Sequence, residues 1–335
     1  MSPPPAAAIA PSLELLPVAA PSVVRETQLR RQAFFAVILA AACIGFSAPL
    51  VRLADAGPAA IGFWRLFFAL GPALVWAYAE HRSRVRQARL VGTVALRPSL
   101  RQVLLAMLAG LFFGADLIVF HKGLALTSTA NALLLGNLAV VFVFVFGWLI
   151  LRERPTRGLL IALALALAGT AIIIGSSAVG GSHAGSRPVS VAGDLLCVGA
   201  ALAYAGYMLV TRAVRRAGRG DAVPLGGGMV SLVASATGAV VCLVWAVATG
   251  EVLVPQSLQG LLAVIGLGLI AHATGQGLAT FALGRLPAGV ISVVLLLQIV
   301  VGTTLAGLLF GEFPSLVVLA GGLLVVAGVT TARPN

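Results

Sequence analysis

Residues 128–156, STANALLLGNLAVVFVFVFGWLILRERPT, and residues 287–315, PAGVISVVLLLQIVVGTTLAGLLFGEFPS, decide how this chain is read. Each opens with an apolar run long enough to cross a bilayer, about 17 to 25 residues, and each run is followed by a Glu-x-Pro turn. Glu153-Arg154-Pro155-Thr156 recurs as Glu312-Phe313-Pro314-Ser315, an offset of 159 residues (312 − 153). At the same offset Leu124 meets Leu283, Ala132 meets Ile291 and Gly45 meets Tyr204, so the two copies agree in class of residue rather than in identity.

Working outward from this pair, runs of similar length fall near 33–52, 59–79, 103–124, 157–175, 193–211, 225–248, 259–281 and 315–331, which makes ten with the two above. Backbone amides in hydrocarbon must be satisfied within their own segment, and the runs are too long and too evenly apolar for barrel strands. The expected fold is therefore an all-α integral membrane protein. Five spans per half is an odd number, so the second copy enters the membrane upside down relative to the first. That is an inverted repeat, an architecture in which a substrate site lies near the bilayer midplane between the halves. The expected organisation is a disordered cytoplasmic tail at 1–32, a first five-helix repeat at 33–175, a Gly, Ser and His-rich linker at 176–192 and a second repeat at 193–331.

Composition supports the same class. The 335 residues are 60% hydrophobic and only 10% charged, with a mean hydropathy of +1.06, where soluble domains carry roughly a quarter charged residues. The net charge of +12 does not indicate nucleic acid, because the arginines fall between apolar runs and no nucleic-acid motif accompanies them. It follows topology instead. With the N-terminus inside, most of the 22 Lys and Arg lie in the inner segments, in clusters at 25–31, 82–101, 152–157 and 212–219. Only Arg52, Lys122 and Arg187 are outside, and Arg65 is within a span. The bias predicts both termini on the cytoplasmic side. Cys43, Cys197 and Cys242 all lie in apolar runs and are expected as free, packed thiols. The Pro and Ala-rich residues 1–24 begin without a basic patch and do not read as a secretory signal.

In this setting the sequence resembles the drug/metabolite transporter superfamily, in its EamA-type branch, over residues 33–331. The resemblance rests on Gly45-Phe46-Ser47-Ala48-Pro49-Leu50-Val51-Arg52, on Phe63-Trp64-Arg65, on the two Glu-x-Pro turns, and on Gly193-Asp194 with Tyr204 and Tyr207. It implies alternating-access export or exchange of small metabolites such as amino acids, amines or nucleosides through a central cavity. The family often carries a proline midway along the fourth and ninth spans. Here those stretches read Asn137-Leu138-Ala139-Val140 and Leu297-Gln298-Ile299-Val300, which removes the proline kinks and puts amides at the expected membrane centre.

Ionisable and polar groups inside spans are costly and call for a partner or an aqueous cavity. Asp116 in the third span and Arg65 in the second are candidates for gating or coupling, either neutralising each other or touching substrate. His272, with Gln276 one turn later on the same face, offers a titratable group beside an amide, for a helix-helix hydrogen bond or for substrate and proton. Asn137 and Gln298 occupy near-equivalent depths and are read as cavity-lining rather than as helix-helix glue. Tyr204 and Tyr207 share a face near mid-depth, and with Ser47 complete the expected substrate-binding set. Glu153 and Glu312 are read as hairpin caps, Gly110 and Gly114 as a close helix contact, and His121 and Lys122 as solvated loop positions.

These residues favour a secondary carrier for a small molecule, with proton coupling allowed by His272 or Asp116. No Gly-x-x-x-x-Gly-Lys-Ser/Thr loop is present to bind ATP. A membrane-embedded enzyme would need a nucleophile with its base or a metal constellation, and His81, His121, His183 and His272 fall in separate segments, so neither catalytic residues, cofactor nor metal are expected. A channel or a non-transporting receptor is the other class. The expected partners are substrate and lipid bilayer, as a monomer or a homodimer, and the Ala and Arg-rich composition points to a bacterial inner membrane.

Overall fold

The computed structural model describes residues 23–90, 98–151, 157–178, 190–216, 225–311 and 316–331. Among these the chain is helical throughout, with no strand. In chain order the helices are α1 (Val23–Gly45), α2 (Ser47–Leu53), α3 (Pro58–Leu90), α4 (Leu100–Leu126), α5 (Thr129–Gly136), α6 (Ala139–Leu151), α7 (Arg157–Ala178), α8 (Val191–Arg216), α9 (Gly227–Ala248) and α10 (Leu258–Gly266). A π-helical segment, Leu267–Gln276, leads into α11 (Gly277–Leu283), followed by α12 (Ala288–Leu295), α13 (Leu297–Phe310) and α14 (Leu316–Thr331). Eight stretches among the described residues are long and apolar enough to cross a membrane: Thr27–Leu53, Pro58–Leu90, Leu100–Leu126, Asn131–Leu149, Val191–Arg216, Gly227–Ala248, Leu258–Leu283 and Ala288–Phe310. α7 and α14 pack against each other beside them.

Packing between the halves is pseudo-symmetric. α4 packs on α8 and α9, while its counterpart, the π segment, packs on α1 and α3. α6 packs on α8 as α13 packs on α1, and α3 pairs with α9, α7 with α14, and α5 and α6 with α13 and α12. The α3–α9 pair fixes direction. Glu251, just beyond α9, accepts hydrogen bonds from the Ala59 and Ala60 amides that open α3, at 2.7 and 3.2 Å. Glu80, late in α3, accepts from the Gly227 and Gly228 amides that open α9, both at 3.0 Å. Each helix thus supplies the carboxylate that caps the other's positive end, which requires them to run antiparallel. Ala59 and Glu80 are separated by about 32 Å of helix, close to the thickness of a bilayer's hydrocarbon core, so the two caps mark its two faces.

Small residues set the tightest contacts. A Cβ on Gly110 would lie 2.5 Å from the Ala234 carbonyl oxygen, and one on Gly114 would lie 3.1 Å from that of Gly238, so the Gly110-x-x-x-Gly114 stretch lets α4 press on α9 within the monomer. All three cysteines are free, with Cys197 and Cys242 buried. Large apolar side chains such as Leu74, Val75, Trp148, Val244 and Leu308 are exposed on the outer surface, as a lipid-facing belt requires.

Both fourth-span segments break, although neither carries a proline at the break. In the first half, the Asn137 side-chain amide donates to the Leu133 carbonyl, and the backbone steps to an i−3 bond from Leu138 N to Leu135 O at 3.0 Å. In the second, Leu296 N bonds Val293 O at 3.1 Å and Ile299 N bonds Leu296 O at 3.0 Å. Asn137 and Leu296 are 159 residues apart (296 − 137), the same offset as the sequence repeat. A local 3₁₀ turn therefore interrupts both helices at one repeat position without a proline.

Two expectations are corrected. α1 already begins at Val23, because Arg and Gln carry high helix propensity and extend the helix beyond its apolar run into the stretch assigned to the tail. Arg212, at the inner end of α8, is fully buried, and its guanidinium donates to the Leu283 carbonyl at the end of α11, a group left without an intrahelical partner. His121 is only 2% exposed and sits inside α4, whose last turn runs on to Leu126. Glu153, Glu312 and residues 179–189 of the linker lie outside the described residues.

Candidate functional site

The broken helices and the π segment meet around one cavity. About 550 Å³ of space free of atoms is lined by Ile44 and Ser47 from the first span, Arg65 from α3, and Phe113, Asp116, Leu117 and Phe120 from α4. Leu133, Gly136 and Asn137 come from the fourth span, Tyr204 from α8, Gln276 from the π segment and Gln298 from α13. Its wall is apolar with a few convergent polar groups, the usual make-up of a small-molecule site. Both repeats contribute.

Local structure explains the aim of each polar group. The chain turns between α1 and α2 at Phe46, because Pro49 has no N–H to offer the Gly45 carbonyl, and Ser47 is left at the start of the new helix. Its hydroxyl accepts from Arg65 Nη1 at 2.6 Å. Arg65, 3% exposed, also lies 5.8 Å over the Phe113 ring. Asp116 faces the same cavity, and among the described residues it makes no ion pair within 4.0 Å with Arg65 and no hydrogen bond. The expected neutralisation is therefore not a contact pair: the Arg65 guanidinium, held by a hydroxyl, and the Asp116 carboxylate share the wall and attract each other across it.

The two amides do come together. Gln298 Nε2 donates to Asn137 Oδ1 at 2.9 Å, joining the two broken fourth-span helices across the pseudo-symmetric centre. Gln276 Nε2 donates to the Tyr204 hydroxyl at 3.2 Å, joining the π segment to α8. Of the nine residues expected from sequence, Ser47, Arg65, Asp116, Asn137, Tyr204, Gln276 and Gln298 line the cavity.

His272 and Tyr207 stand one layer back. His272 Nε2 is 2.8 Å from Ser235 Oγ on α9, and its ring centroid is 5.1 Å from that of Phe113. Tyr207 packs 4.6 Å from the Phe113 centroid and shares a hydrogen bond of 3.3 Å with Thr280. Phe113 separates both from the cavity, which is why their helical faces alone misplaced them. The apolar wall residues Ile44, Phe113, Leu117, Phe120 and Leu133 gave no sequence signal, since they differ in nothing from lipid-facing neighbours. Asp194, from the resembling motif, accepts from Thr127 Oγ1 at 2.8 Å and ties the start of α8 to the end of α4. No group of three or more His, Cys, Asp or Glu that could hold a metal occurs among the described residues.

Fold and site together define a polytopic membrane protein with a cavity, apolar but for a few convergent polar groups, between two repeated helical halves. The family model described as the EamA-like transporter family matches residues 31–175 and again 191–332, and the chain belongs to that family, within the drug/metabolite transporter superfamily. Its members are membrane transporters rather than enzymes. A solved structure described as "Crystal structure of protein" shares the fold, with a TM-score of 0.63 over 92% of this chain and 96% of that one at 18% identity. No curated protein sequence matches the chain.

Proposed function

We propose that this protein is a secondary-active carrier that exports or exchanges small organic metabolites, of the size of amino acids, amines or nucleosides, by alternating access. In this reading ten spans form two oppositely oriented halves, with α7 and α14 as the fifth and tenth, and both termini lie in the cytoplasm of a bacterial cell. The observation that carries it is the shared cavity, to which the first half contributes Ser47, Arg65, Asp116 and Asn137 and the second Tyr204, Gln276 and Gln298. The antiparallel α3–α9 pair and the symmetric packing between halves support the inverted arrangement. Rocking of the halves would separate Gln298 from Asn137 and expose the cavity to one face at a time.

Purified protein in vesicles should give saturable counterflow with at least one member of a panel of amino acids, amines and nucleosides. Absence of counterflow across the panel, or flux that does not saturate, would count against a carrier. Proton coupling belongs to His272 or Asp116. His272→Gln should flatten the pH dependence of net transport while leaving exchange, and an unchanged profile would move that role to Asp116.

A further inference from the structure

α3 does not stop at the membrane face marked by Glu80. It runs on unbroken to Leu90, and this last stretch, His81-Arg82-Ser83-Arg84-Val85-Arg86-Gln87-Ala88-Arg89-Leu90, holds four arginines and no carboxylate. Topology accounts for the side of the membrane on which they lie, but not for their positions around the helix. At about 100° per residue, Val75, Tyr78, Arg82, Arg86 and Arg89 fall within an arc of about 80°, whereas Arg84 lies about 160° from the middle of that arc. Exposure divides them in the same way. Val75 and Tyr78 are 69% and 58% exposed, in the belt that meets lipid, and Arg82, Arg86 and Arg89 are exposed beyond them. Arg84 is half-buried and turns to the start of α9, its Nη2 3.0 Å from where a Cβ on Gly226 would stand.

The three outward arginines are available. Among the described residues, Arg86 and Arg89 make no hydrogen bond or ion pair, and Arg82 only lies over the Tyr78 ring, its guanidinium carbon 5.5 Å from the centroid. Depth points to lipid. The arginines stand roughly 3, 9 and 13 Å beyond Glu80 along the helix, and a headgroup layer is about 5–7 Å thick on each side of the hydrocarbon. Arg82 is therefore level with the headgroups, and Arg86 and Arg89 lie within about 8 Å of their outer surface, the reach of a charge at physiological salt. Tyr78 sits at the boundary, where an aromatic body favours the acyl chains and its hydroxyl the headgroups. Because one face passes without rotation from lipid-exposed valine to arginine, its charge meets the lipids already packed on that helix.

We infer that this stripe is a binding surface for anionic phospholipid. Arg82, Arg86 and Arg89 hold the headgroup phosphates of phosphatidylglycerol-type lipids in the leaflet at that face, and Tyr78 packs on the upper part of their acyl chains. A soluble acidic partner would use the arginines alone, whereas a lipid uses the whole stripe down to Val75. The site stands whether or not the central cavity carries a solute.

The experiment uses full-length protein with the photo-crosslinker p-benzoylphenylalanine in place of Tyr78, in nanodiscs of phosphatidylcholine and phosphatidylglycerol in equal amounts, and weighs the lipid adducts formed on irradiation. Phosphatidylglycerol should be captured in about fivefold excess, equivalent to about 1 kcal/mol, the attraction of one arginine at an anionic surface. Salt at about 1 M, where the Debye length is about 3 Å, should reduce that excess. Arg82→Ser with Ser83→Arg, combined with Arg86→Gln and Gln87→Arg, keeps net charge and depth but turns two arginines about 100° off the stripe, and should bring capture close to equal. Replacing all three arginines by lysine should keep the excess. The same crosslinker at Trp245, 47% exposed near the opposite end of the bundle, should capture both lipids equally in every variant and so report an intact fold. Equal capture at position 78 in the parent would overturn the lipid site and leave the stripe to an acidic soluble partner. An excess that survives the exchange of positions, or that is matched at position 245, would belong to net charge and overturn the stripe.

Discussion

Replacing Glu251 by alanine removes the carboxylate oxygen, Oε2, that accepts both bonds at the start of α3, from Ala59 N at 2.7 Å and Ala60 N at 3.2 Å. Two helix-opening amides and the positive end of the helix then lose their counter-charge. Caps of this kind are worth about 1 to 2 kcal/mol, and the dipole interaction within that sum about 0.3 to 1 kcal/mol. Because the site lies at the membrane surface, water re-solvates the freed amides, so the cost stays near 1–2 kcal/mol rather than that of a buried charge. A loss of that size lowers the ratio of folded to unfolded protein by about five- to thirtyfold. Glu80→Ala should cost the same at the other face, since its carboxylate caps Gly227 and Gly228 in the same way. The caps are about 32 Å apart along α3, so the double variant should show the sum of the single losses to within about 0.5 kcal/mol. Glu251→Gln and Glu80→Gln, which keep an acceptor and lose the charge, should each cost about half as much. Unfolding in mixed micelles by added SDS measures all of these. Alanine variants as stable as the parent would refute reciprocal capping, and a strongly non-additive double variant would refute two independent caps at opposite faces.

Three further outcomes are expected. In a double-mutant cycle of Asn137→Ala and Gln298→Ala, unfolding in the same micelles should give a coupling of about 0.5–1.5 kcal/mol for their 2.9 Å bond; zero coupling would mean the two broken helices are not joined there. Gly228→Val should give no folded protein on size exclusion, because its Cβ would lie 2.5 Å from the Ala77 backbone nitrogen, whereas Gly71→Ala, with nothing within 4 Å, should be tolerated or gain about 0.4–1 kcal/mol. Asp55 has its carboxyl held below the usual carboxylate range, first by the Ser257 hydroxyl and then by the Gln256 amide. A depressed folded pKa gives stability that is complete above the ordinary value of 3.8 and is lost as pH falls through the lowered one. Hydrogen exchange at the Gln256 amide should therefore stay protected at neutral pH and lose protection in acid, and Asp55→Asn should remove that acid step.

The sequence by itself determined the class of fold and the level of the site. Hydrocarbon tolerates no unpaired backbone, so apolar length alone dictates helices, and the 159-residue offset between Glu153 and Glu312 announces the repeat. An amide or an ionisable group in such a run is costly wherever it points, which is why Ser47, Arg65, Asp116, Asn137, Tyr204, Gln276 and Gln298 were legible as candidates and do share one cavity. Only the tertiary structure decided which groups meet. Helical spacing put His272 and Gln276 on one face, yet the π segment and Phe113 turn Gln276 to the cavity and His272 to Ser235. Asn137 sits at the break in its helix with its side-chain amide also on the Leu133 carbonyl, and its partner Gln298 lies 161 residues away. His121 read as a loop residue because local pattern carries no record of the Pro58 carbonyl across the helix pair, and Glu80 and Glu251 gave no signal because each caps a helix in the opposite half. Composition fixes what a membrane will accept; pairing across distant segments depends on how the helices pack, and packing is settled by contacts that no single stretch of chain contains.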